Sequence, residues 1–250
     1  MQRILGVRPA LALLATAAPA LALAMTAANT SAAATSATAI TVRVEGTTKT
    51  LVPTTAVTLG SRAVVKDGKA TDSCSGQSAA AALELASRGN WKGTWSASYH
   101  AYFLTSIEGL GFPSTGAEYW AFWVNDKPSA SGICGYDPKP GDSLLFFPDC
   151  FGKKCPKSDG VLGVKAAAFA TVGHPYTVSV TAYSDAKGTP SRAAGATVSG
   201  GGATAKTAAS GTATLAFAHA GHFTLDVTKP SAVRTEASVC VQAAAATTCG

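Results

Sequence analysis

The sequence predicts an α+β domain, built from a mixed sheet with one helix, followed by an all-β domain. The first observation is an Ala- and Leu-rich run at residues 78–87, a strong helix pattern among Val- and Thr-rich strand patterns. The second is a change of character after Val161, where tryptophans end and short strand patterns alternate with Gly- and Ser-rich turns. The third is a leader-like N-terminus. We therefore expect two exported domains.

Residues 1–34 are predicted to be a secretory signal peptide. Two arginines precede an almost continuous Ala and Leu run at residues 9–25, and residues 32–34 and 37–39 each offer an A-x-A cleavage pattern. An uncleaved membrane anchor is the alternative. Pro19 and the weakly apolar, Ala-rich run favour a cleaved leader, because a membrane span needs about 20 strongly apolar residues. We expect a secreted, extracellular protein that does not span the membrane after processing, with cell-wall association as a further option.

Length and charge limit the classes of function. Without the leader 216 residues remain, enough for two small domains, and the formal net charge falls from +6 to +4 because the leader carries two arginines and no acid. This mild excess is spread along the chain and is not the basic patch of a nucleic-acid-binding protein. The sequence therefore predicts no nucleic-acid partner.

The first domain is predicted at residues 40–148. Its strands are expected at runs rich in Val, Thr or aromatic residues: 41–45, 51–59, 101–107, 119–124 and 143–147. The predicted helix lies between the second and third strands, and Gly89 is a natural C-cap. Two strands, a helix and further strands is the order of a β-grasp domain. The helix would be the crossover that lets the first and last strands lie parallel.

A linker and a sandwich are predicted for the rest of the chain. Residues 149–160 contain Pro, Gly, Lys and two cysteines without an apolar period, so they are expected to be an interdomain linker whose cleavage releases two folded pieces. Residues 161–250 contain short strands with frequent turns, which is typical of an all-β sandwich. Residues 200–207 nearly match a phosphate-binding loop. Ala205 replaces a required glycine and a strand pattern follows, so the glycine run is predicted to be a turn of the sandwich instead.

All six cysteines lie after the leader, and an even count in an exported chain predicts disulfides. Chain order favours one set of pairs: Cys74 with Cys134, Cys150 with Cys155, and Cys240 with Cys249. A metal site that includes Cys150 and Cys155 is the alternative. No second Cys or His pair stands nearby in the sequence to complete the four ligands of zinc. We therefore expect disulfides and no bound metal.

The segment 118–147 carries a family resemblance. It contains an aromatic strand with an Asn-Asp turn at 119–126, a Gly-Tyr stretch at 134–137, and a Gly-Asp turn before an apolar strand at 141–147. This pattern resembles the closing half of the transcobalamin-like C-terminal domain, a small β-grasp module, and the resemblance covers residues 40–148. It implies ligand or partner binding without catalysis. In that family the domain helps to close over cobalamin together with a separate helical barrel, for which this chain has no room.

The second domain is similar to bacterial immunoglobulin-like surface domains. The similarity is carried by a Gly-x-Pro turn at 188–190, a Gly-Ala-x-Val strand at 195–198, and the strand patterns at 207–215 and 220–227. It extends over residues 164–241 and implies an immunoglobulin-like β-sandwich that is displayed at a cell surface.

The aromatic strand provides the candidate binding site. Because side chains alternate along a strand, Trp120 and Phe122 share one face and Tyr119 and Trp123 share the other. The first face is expected to pack on the helix. The second face holds more aromatic surface than a protein leaves in water without a cause. We therefore predict that Tyr119 and Trp123, rimmed by Tyr136, stack on a flat or sugar-like ligand.

An alternative is that a loop at residues 91–95 covers this second face as a small additional core.

The candidate catalytic residues have less support in the sequence than the aromatic binding site. Cys74 with His100 would need a free thiol, which the exported compartment argues against, and the acids Asp126 and Asp142 stand where turns need Asp for backbone reasons. The sequence predicts a non-enzymatic binding module for an unidentified small ligand or partner, without a cofactor. A structural surface or wall-associated scaffold is the alternative.

Overall fold

The computed structural model describes residues 39–112, 116–152, 155, 158–184, 187–243 and 249. The predicted signal peptide, residues 1–34, lies outside the described residues. In the described part, the chain is mostly β with one helix. That part contains no helix with the length and apolar character needed to cross a membrane. The described residues belong to one compact unit, in which two lobes have cores of their own.

The first lobe, residues 39–152, has one helix and ten strands in its described part. These are β1 (Ile40–Glu45), β2 (Thr50–Val57), β3 (Val64–Val65), β4 (Ser73–Cys74), α1 (Ala79–Ala86), β5 (Trp91–Ser96), β6 (Ala101–Ile107), β7 (Leu110–Gly111), β8 (Glu118–Val124), β9 (Lys127–Pro128) and β10 (Ser143–Cys150). The main sheet has the order β2-β1-β10-β8-β9, and β1 and β10 are parallel, as predicted. Strands β5, β6 and β7 form a separate antiparallel sheet.

The helix follows its sequence pattern. Ser78 is the N-cap, and its hydroxyl accepts a hydrogen bond from the N–H of Ala81. The first five residues of α1 are buried against the first-lobe core, where they pack on β1 and β2. The helix ends at a Ser87 cap, two residues before the predicted Gly89. Arg88 and Gly89 both have positive φ, so the chain leaves the helix through two consecutive residues in the left-handed conformation.

Two expectations for the first lobe need correction. Residues 91–96 are not a loop over the second face of the aromatic strand, because they form β5, which pairs with β6. Trp91 lies in the core on the helix side. Strand β10 also continues to Cys150 and so enters the predicted linker, since Asp149 and Cys150 still pair with β8.

The second lobe begins at residue 158 and is a pair of facing five-stranded sheets. Its strands are β11 (Gly160–Ala166), β12 (Phe169–Thr171), β13 (Tyr176–Ser184), β14 (Thr189–Arg192), β15 (Thr197–Gly200), β16 (Ala203–Lys206), β17 (Thr212–Leu215), β18 (Gly221–Thr228), β19 (Ala232–Val233) and β20 (Thr235–Gln242). One sheet has the order β14-β13-β11-β19 with β17 on β13, and the other has the order β12-β20-β18-β15-β16. Residues 201 and 202 form the β15–β16 turn, as predicted, with φ of 55° and 77°.

A third apolar cluster joins the lobes. Its first-lobe members lie on the faces of β8 and β10 that point away from the helix: Ala121, Trp123, Leu145 and Phe147. Val161 of β11 completes the buried cluster, and Tyr183 and Val233 pack against it. The second lobe therefore covers the face of the first-lobe sheet that α1 leaves free. Separate folding of the two lobes after cleavage between them stays a prediction, which limited proteolysis with melting curves of the pieces would test.

Three disulfides join the same pairs that chain order favours: Cys74–Cys134, Cys150–Cys155 and Cys240–Cys249. The first ties β4 to the segment before β10, across a sequence separation of 60 residues. The other two close short loops, with separations of 5 and 9 residues. No cysteine in the described part of the chain is free.

Candidate functional site

The predicted alternation of the aromatic strand is correct, but the predicted stacking surface is covered. Trp120 packs in the helix-side core with Phe122 beside it, and Trp123 points to the opposite face. Trp123 is only 6% exposed, with its ring in edge contact with Phe147 at a centroid distance of 5.7 Å. The cover comes from the second lobe, through Val161. Trp123 is therefore a buried interlobe side chain and not an open platform.

The other two predicted site residues differ from Trp123 in their surroundings. The Tyr119 hydroxyl donates to Asp149 at 3.0 Å, and burial together with this carboxylate raises the pKa of Tyr119 to about 12. Tyr136 lies on the helix side of the sheet, with its ring 5.9 Å from that of Phe122. Tyr119 and Trp123 both line one groove of the first lobe, but Tyr136 does not, so the structure does not bring all three residues together into one ligand surface.

Tyr136 belongs to a hydrogen-bond network around Asp142. The carboxylate accepts from the Tyr136 hydroxyl at 2.8 Å, from the Asn125 amide at 2.7 Å and from the Lys139 backbone N–H at 2.8 Å. Burial acts to raise the pKa of Asp142, but these hydrogen bonds lower it below its ordinary value. Asp142 is thus an ionised structural anchor of the turn before β10, as the turn interpretation predicted.

An open groove lies between β6 and β8. Its walls are these two strands and residues 128–133, and it encloses about 620 Å³. We call it the β6–β8 groove. Tyr99 and Phe103 line it and are 73% and 56% exposed, with their rings in edge contact at 5.5 Å. Tyr119, which is 40% exposed, lines it from β8. The exposed aromatic surface that the sequence led us to expect is therefore present, but at a different place.

Sequence reasoning missed Tyr99 and Phe103. The signal for Phe103 lay in β6, where Tyr102 and Phe103 are neighbours and must point to opposite faces. Tyr102 is buried in the core, so Phe103 has to point outward. No comparable signal exists for Tyr99, because it lies in the β5–β6 turn, whose path the strand pattern does not specify.

The described wall of the groove is uncharged. None of the described residues that line it is Asp, Glu, Lys, Arg or His. Trp120 is one of the lining residues, and its buried indole N–H has no hydrogen-bond partner in the described part of the chain. Nowhere among the described residues are three or more His, Cys, Asp or Glu side chains placed to hold a metal ion. An uncharged ligand with apolar surface and some hydrogen-bonding groups fits this chemistry.

The edge of β8 adds main-chain groups to the groove. In an antiparallel strand, alternate residues direct both N–H and C=O to the same neighbouring strand. The Ala117 carbonyl accepts from Phe151 on the β10 side, and the Phe122 carbonyl accepts from Ser129 on the opposite side at 3.1 Å. The even-numbered residues of β8 therefore point their backbone groups away from β10. For Trp120, that direction is towards the groove.

A buried ion cluster lies elsewhere, at the contact between the lobes. Arg43 Nη1 donates to Glu45 Oε1 at 3.0 Å and to the carbonyl of Arg234 at 2.7 Å. The Thr50 hydroxyl also donates to Glu45, and Arg234 Nε lies 3.6 Å from Glu45 Oε2. Glu45 is 1% exposed, and burial raises its pKa to about 7 against the opposing effects of Arg43, Thr50 and Arg234.

This raised pKa predicts that the protein loses stability as pH rises from about 4.5 to about 7. In that window the folded state holds a proton on Glu45 and the unfolded state does not, so ionisation favours unfolding by up to ~3 kcal/mol. Urea unfolding at intervals across this window measures the slope. Glu45→Gln should remove that part of the slope, whereas Glu84→Gln, at a partly buried ion pair with Lys66, should retain it. An unchanged slope in Glu45→Gln would contradict the assignment.

The comparisons with known proteins bear on the first lobe. The model of a family described as a domain of unknown function, DUF4430, matches residues 79–147, from α1 into β10. This family is grouped with the transcobalamin-like domains. The match therefore supports the resemblance of the aromatic strand and its turns to transcobalamin-like domains. This support holds at the level of the grouping. No curated protein sequence matches the chain.

Solved structures give only slight similarity. The Arg-specific cysteine proteinase gingipain R (RGPB) aligns at 18% identity and a TM-score of 0.26, covering 40% of this chain and 22% of that chain. A complex of Porphyromonas gingivalis RgpB pro- and mature domains aligns at 19% identity and 0.26, covering 41% and 24%. The D00-D0 domain of intimin aligns at 18% and 0.24, covering 55% and 91%. The chain thus spans less than a quarter of the gingipain chains.

Proposed function

We propose that this protein is a secreted or cell-surface, non-enzymatic binding module. Its first lobe is a β-grasp domain that carries the ligand site, and its second lobe is an immunoglobulin-like sandwich that supports the first. Three disulfides are consistent with an extracellular setting, where such bonds persist. The family match from α1 to β10 supports a relation to transcobalamin-like domains.

The observation that carries the proposal is the open, uncharged β6–β8 groove with Tyr99 and Phe103 on its wall. Exposed aromatic side chains that contact each other beside a groove are typical of ligand sites, because a folded chain normally buries such surface. Two catalytic candidates of the sequence, Cys74 and Asp142, have structural roles instead. Cys74 is held in a disulfide and Asp142 in a turn network, so neither supports catalysis.

The ligand site that we propose differs from the one predicted from sequence. The face of Trp123 is occupied by the second lobe, so the site moves to the edge of the same strand. Cobalamin stays the ligand implied by the family resemblance. We do not propose it for this chain, whose described residues offer an uncharged groove of about 620 Å³ and a single helix with which to enclose a corrin.

A structural scaffold is the second candidate function. The interlobe cluster around Trp123 and the ion cluster around Glu45 favour it, because they fix one lobe against the other. A rigid spacer needs such contacts, and a binding module can use them equally well. The two proposals differ in one respect: a binding module has a ligand at the groove, and a scaffold has none.

Binding with matched variants tests the proposal. The labelled protein is applied to arrays of neutral oligosaccharides and of synthetic peptides. Phe103→Ala is expected to weaken a captured ligand roughly 5- to 150-fold, the equivalent of ~1–3 kcal/mol for one lost aromatic contact. The control is Phe169→Ala, which removes another aromatic side chain that is 61% exposed, on the second lobe, and should leave affinity unchanged. No ligand on either array, or equal loss in both variants, would favour the scaffold.

A further inference from the structure

We infer that the β6–β8 groove takes an extended, uncharged peptide strand, which pairs with the free edge of β8. The inference rests on the proposed function and names the class of ligand for the same site. Its basis is the arrangement of strand edges, since these carry main-chain groups that another chain can complete.

In the described part of the chain, two strand edges beside the groove are only partly covered by a partner strand. Strand β8 pairs with β10 along its whole length, but on its other side it pairs with β9 only at Trp123 and Val124. Strand β6 pairs with β5 along its length and with β7 only at Ser106 and Ile107. Within the described residues, the remaining part of each edge has no strand beside it. The groove therefore lies between the main sheet, which contains β8, and the β5-β6-β7 sheet, at strand edges that are only partly paired.

The free edge of β8 offers donors and acceptors in a regular series. Because backbone groups alternate in direction along a strand, Trp120 directs its N–H and C=O to the groove side. Phe122 also directs its N–H there, but its carbonyl already accepts a hydrogen bond from Ser129. These groups repeat every two residues, about 6.8 Å along the strand. An extended peptide has the same repeat, so its N–H and C=O groups can meet them in register.

The side chains at the groove decide what kind of peptide fits. Tyr99, Phe103 and Tyr119 present apolar surface, and the described lining has no ionisable acid or base to pair with a charged residue. A charged side chain would lose hydration here without gaining a partner, which is unfavourable. Alternate residues of a strand point to the same side, so a peptide with apolar residues at every second position matches the wall. About five residues, roughly 17 Å, would run beside the free part of β8.

Selection from a phage-displayed library of random 12-residue peptides tests the inference. The whole exported protein is the bait, with counter-selection on Ala130→Trp. Ala130 is an exposed residue of the groove wall, so an indole there should fill the groove without disturbing a core. We expect enriched peptides to be uncharged, with apolar residues at alternate positions. We also expect synthetic copies to bind the native protein at least tenfold more tightly than Ala130→Trp.

The decisive readout is an N-methyl scan of the best synthetic peptide. N-methylation removes one main-chain donor at a time, so a strand paired with β8 should lose tenfold or more in affinity at every second position and little between them. Losses without a two-residue period would overturn the inference. If a ligand bound Ala130→Trp as tightly as it binds the native protein, the groove would not be the binding site. That result would overturn the proposed function as well.

The carbohydrate arm distinguishes the remaining outcomes. Neutral oligosaccharides that bind the native protein and fail on Ala130→Trp, with no enriched peptide, would overturn the peptide inference and leave the proposed function standing. No ligand in either arm would overturn both. A circular dichroism melt of Ala130→Trp checks that the variant is folded and that its loss of binding reflects a filled groove.

Discussion

Trp123→Ala is expected to destabilise the protein by ~3–5 kcal/mol, the usual cost of removing a large buried aromatic side chain. The reason is that Trp123 fills the cluster between the lobes with Phe147 and Val161. Urea unfolding followed by far-ultraviolet circular dichroism measures the change. Trp120→Ala should cost a similar amount, because both indoles are buried, although they lie on opposite faces of β8.

Phe169→Ala is the matched control for this pair, since it removes an aromatic side chain that is mostly in solvent. Its effect should stay within about 0.5 kcal/mol, as for most surface substitutions. If Trp123→Ala unfolded at the same urea concentration as Phe169→Ala, the interlobe cluster would not be a stabilising contact in solution. Trp123 would then again be a candidate for the stacking surface that was predicted from the sequence.

Loss of the Cys74–Cys134 bond is expected to destabilise the protein by about 4 kcal/mol, more than loss of either short disulfide. In the chain-entropy description, a cross-link removes more freedom from the unfolded chain when it closes a longer loop, and this one spans 60 residues. The paired change Cys74→Ser with Cys134→Ser tests this by chemical unfolding. It also removes Cys74 from the core beside α1, which adds to the cost.

The control is the paired change Cys150→Ser with Cys155→Ser, which opens a loop of only 5 residues and should cost about 2 kcal/mol. Similar losses in the two double variants would show that loop length does not govern the effect. Peptide mapping without reduction should first find the three predicted bridges in the native protein.

Local patterns predicted most of the first lobe. Helix α1 follows its Ala and Leu run because these residues have high helix propensity, and Ser78 at its start is a preferred N-cap. The alternation of β8 is equally local, and it assigned Trp120 and Trp123 to the correct faces. The Asn125-Asp126 turn also follows from its residues, which adopt positive φ of 50° and 63°.

The candidate site could not be derived in the same way. What covers Trp123 is Val161, a residue of the other lobe, and no period in the sequence reports a contact between lobes. The groove depends on β6 and β8 meeting without pairing, which is a property of sheet order and not of either strand alone. Strand β5 was missed because Gly93 interrupts its alternation, at a shift in its pairing with β6.

The central claim is that the open aromatic surface of the first lobe lies at the β6–β8 groove and not on the face of Trp123. Hydroxyl-radical footprinting of the native protein, read by mass spectrometry, measures this directly, because labelling of an aromatic side chain follows its exposure to solvent. Rapid labelling of Tyr99 and Phe103 with protection of Trp123 and Trp120 is the predicted result. Rapid labelling of Trp123, with Tyr99 and Phe103 protected, would contradict the account.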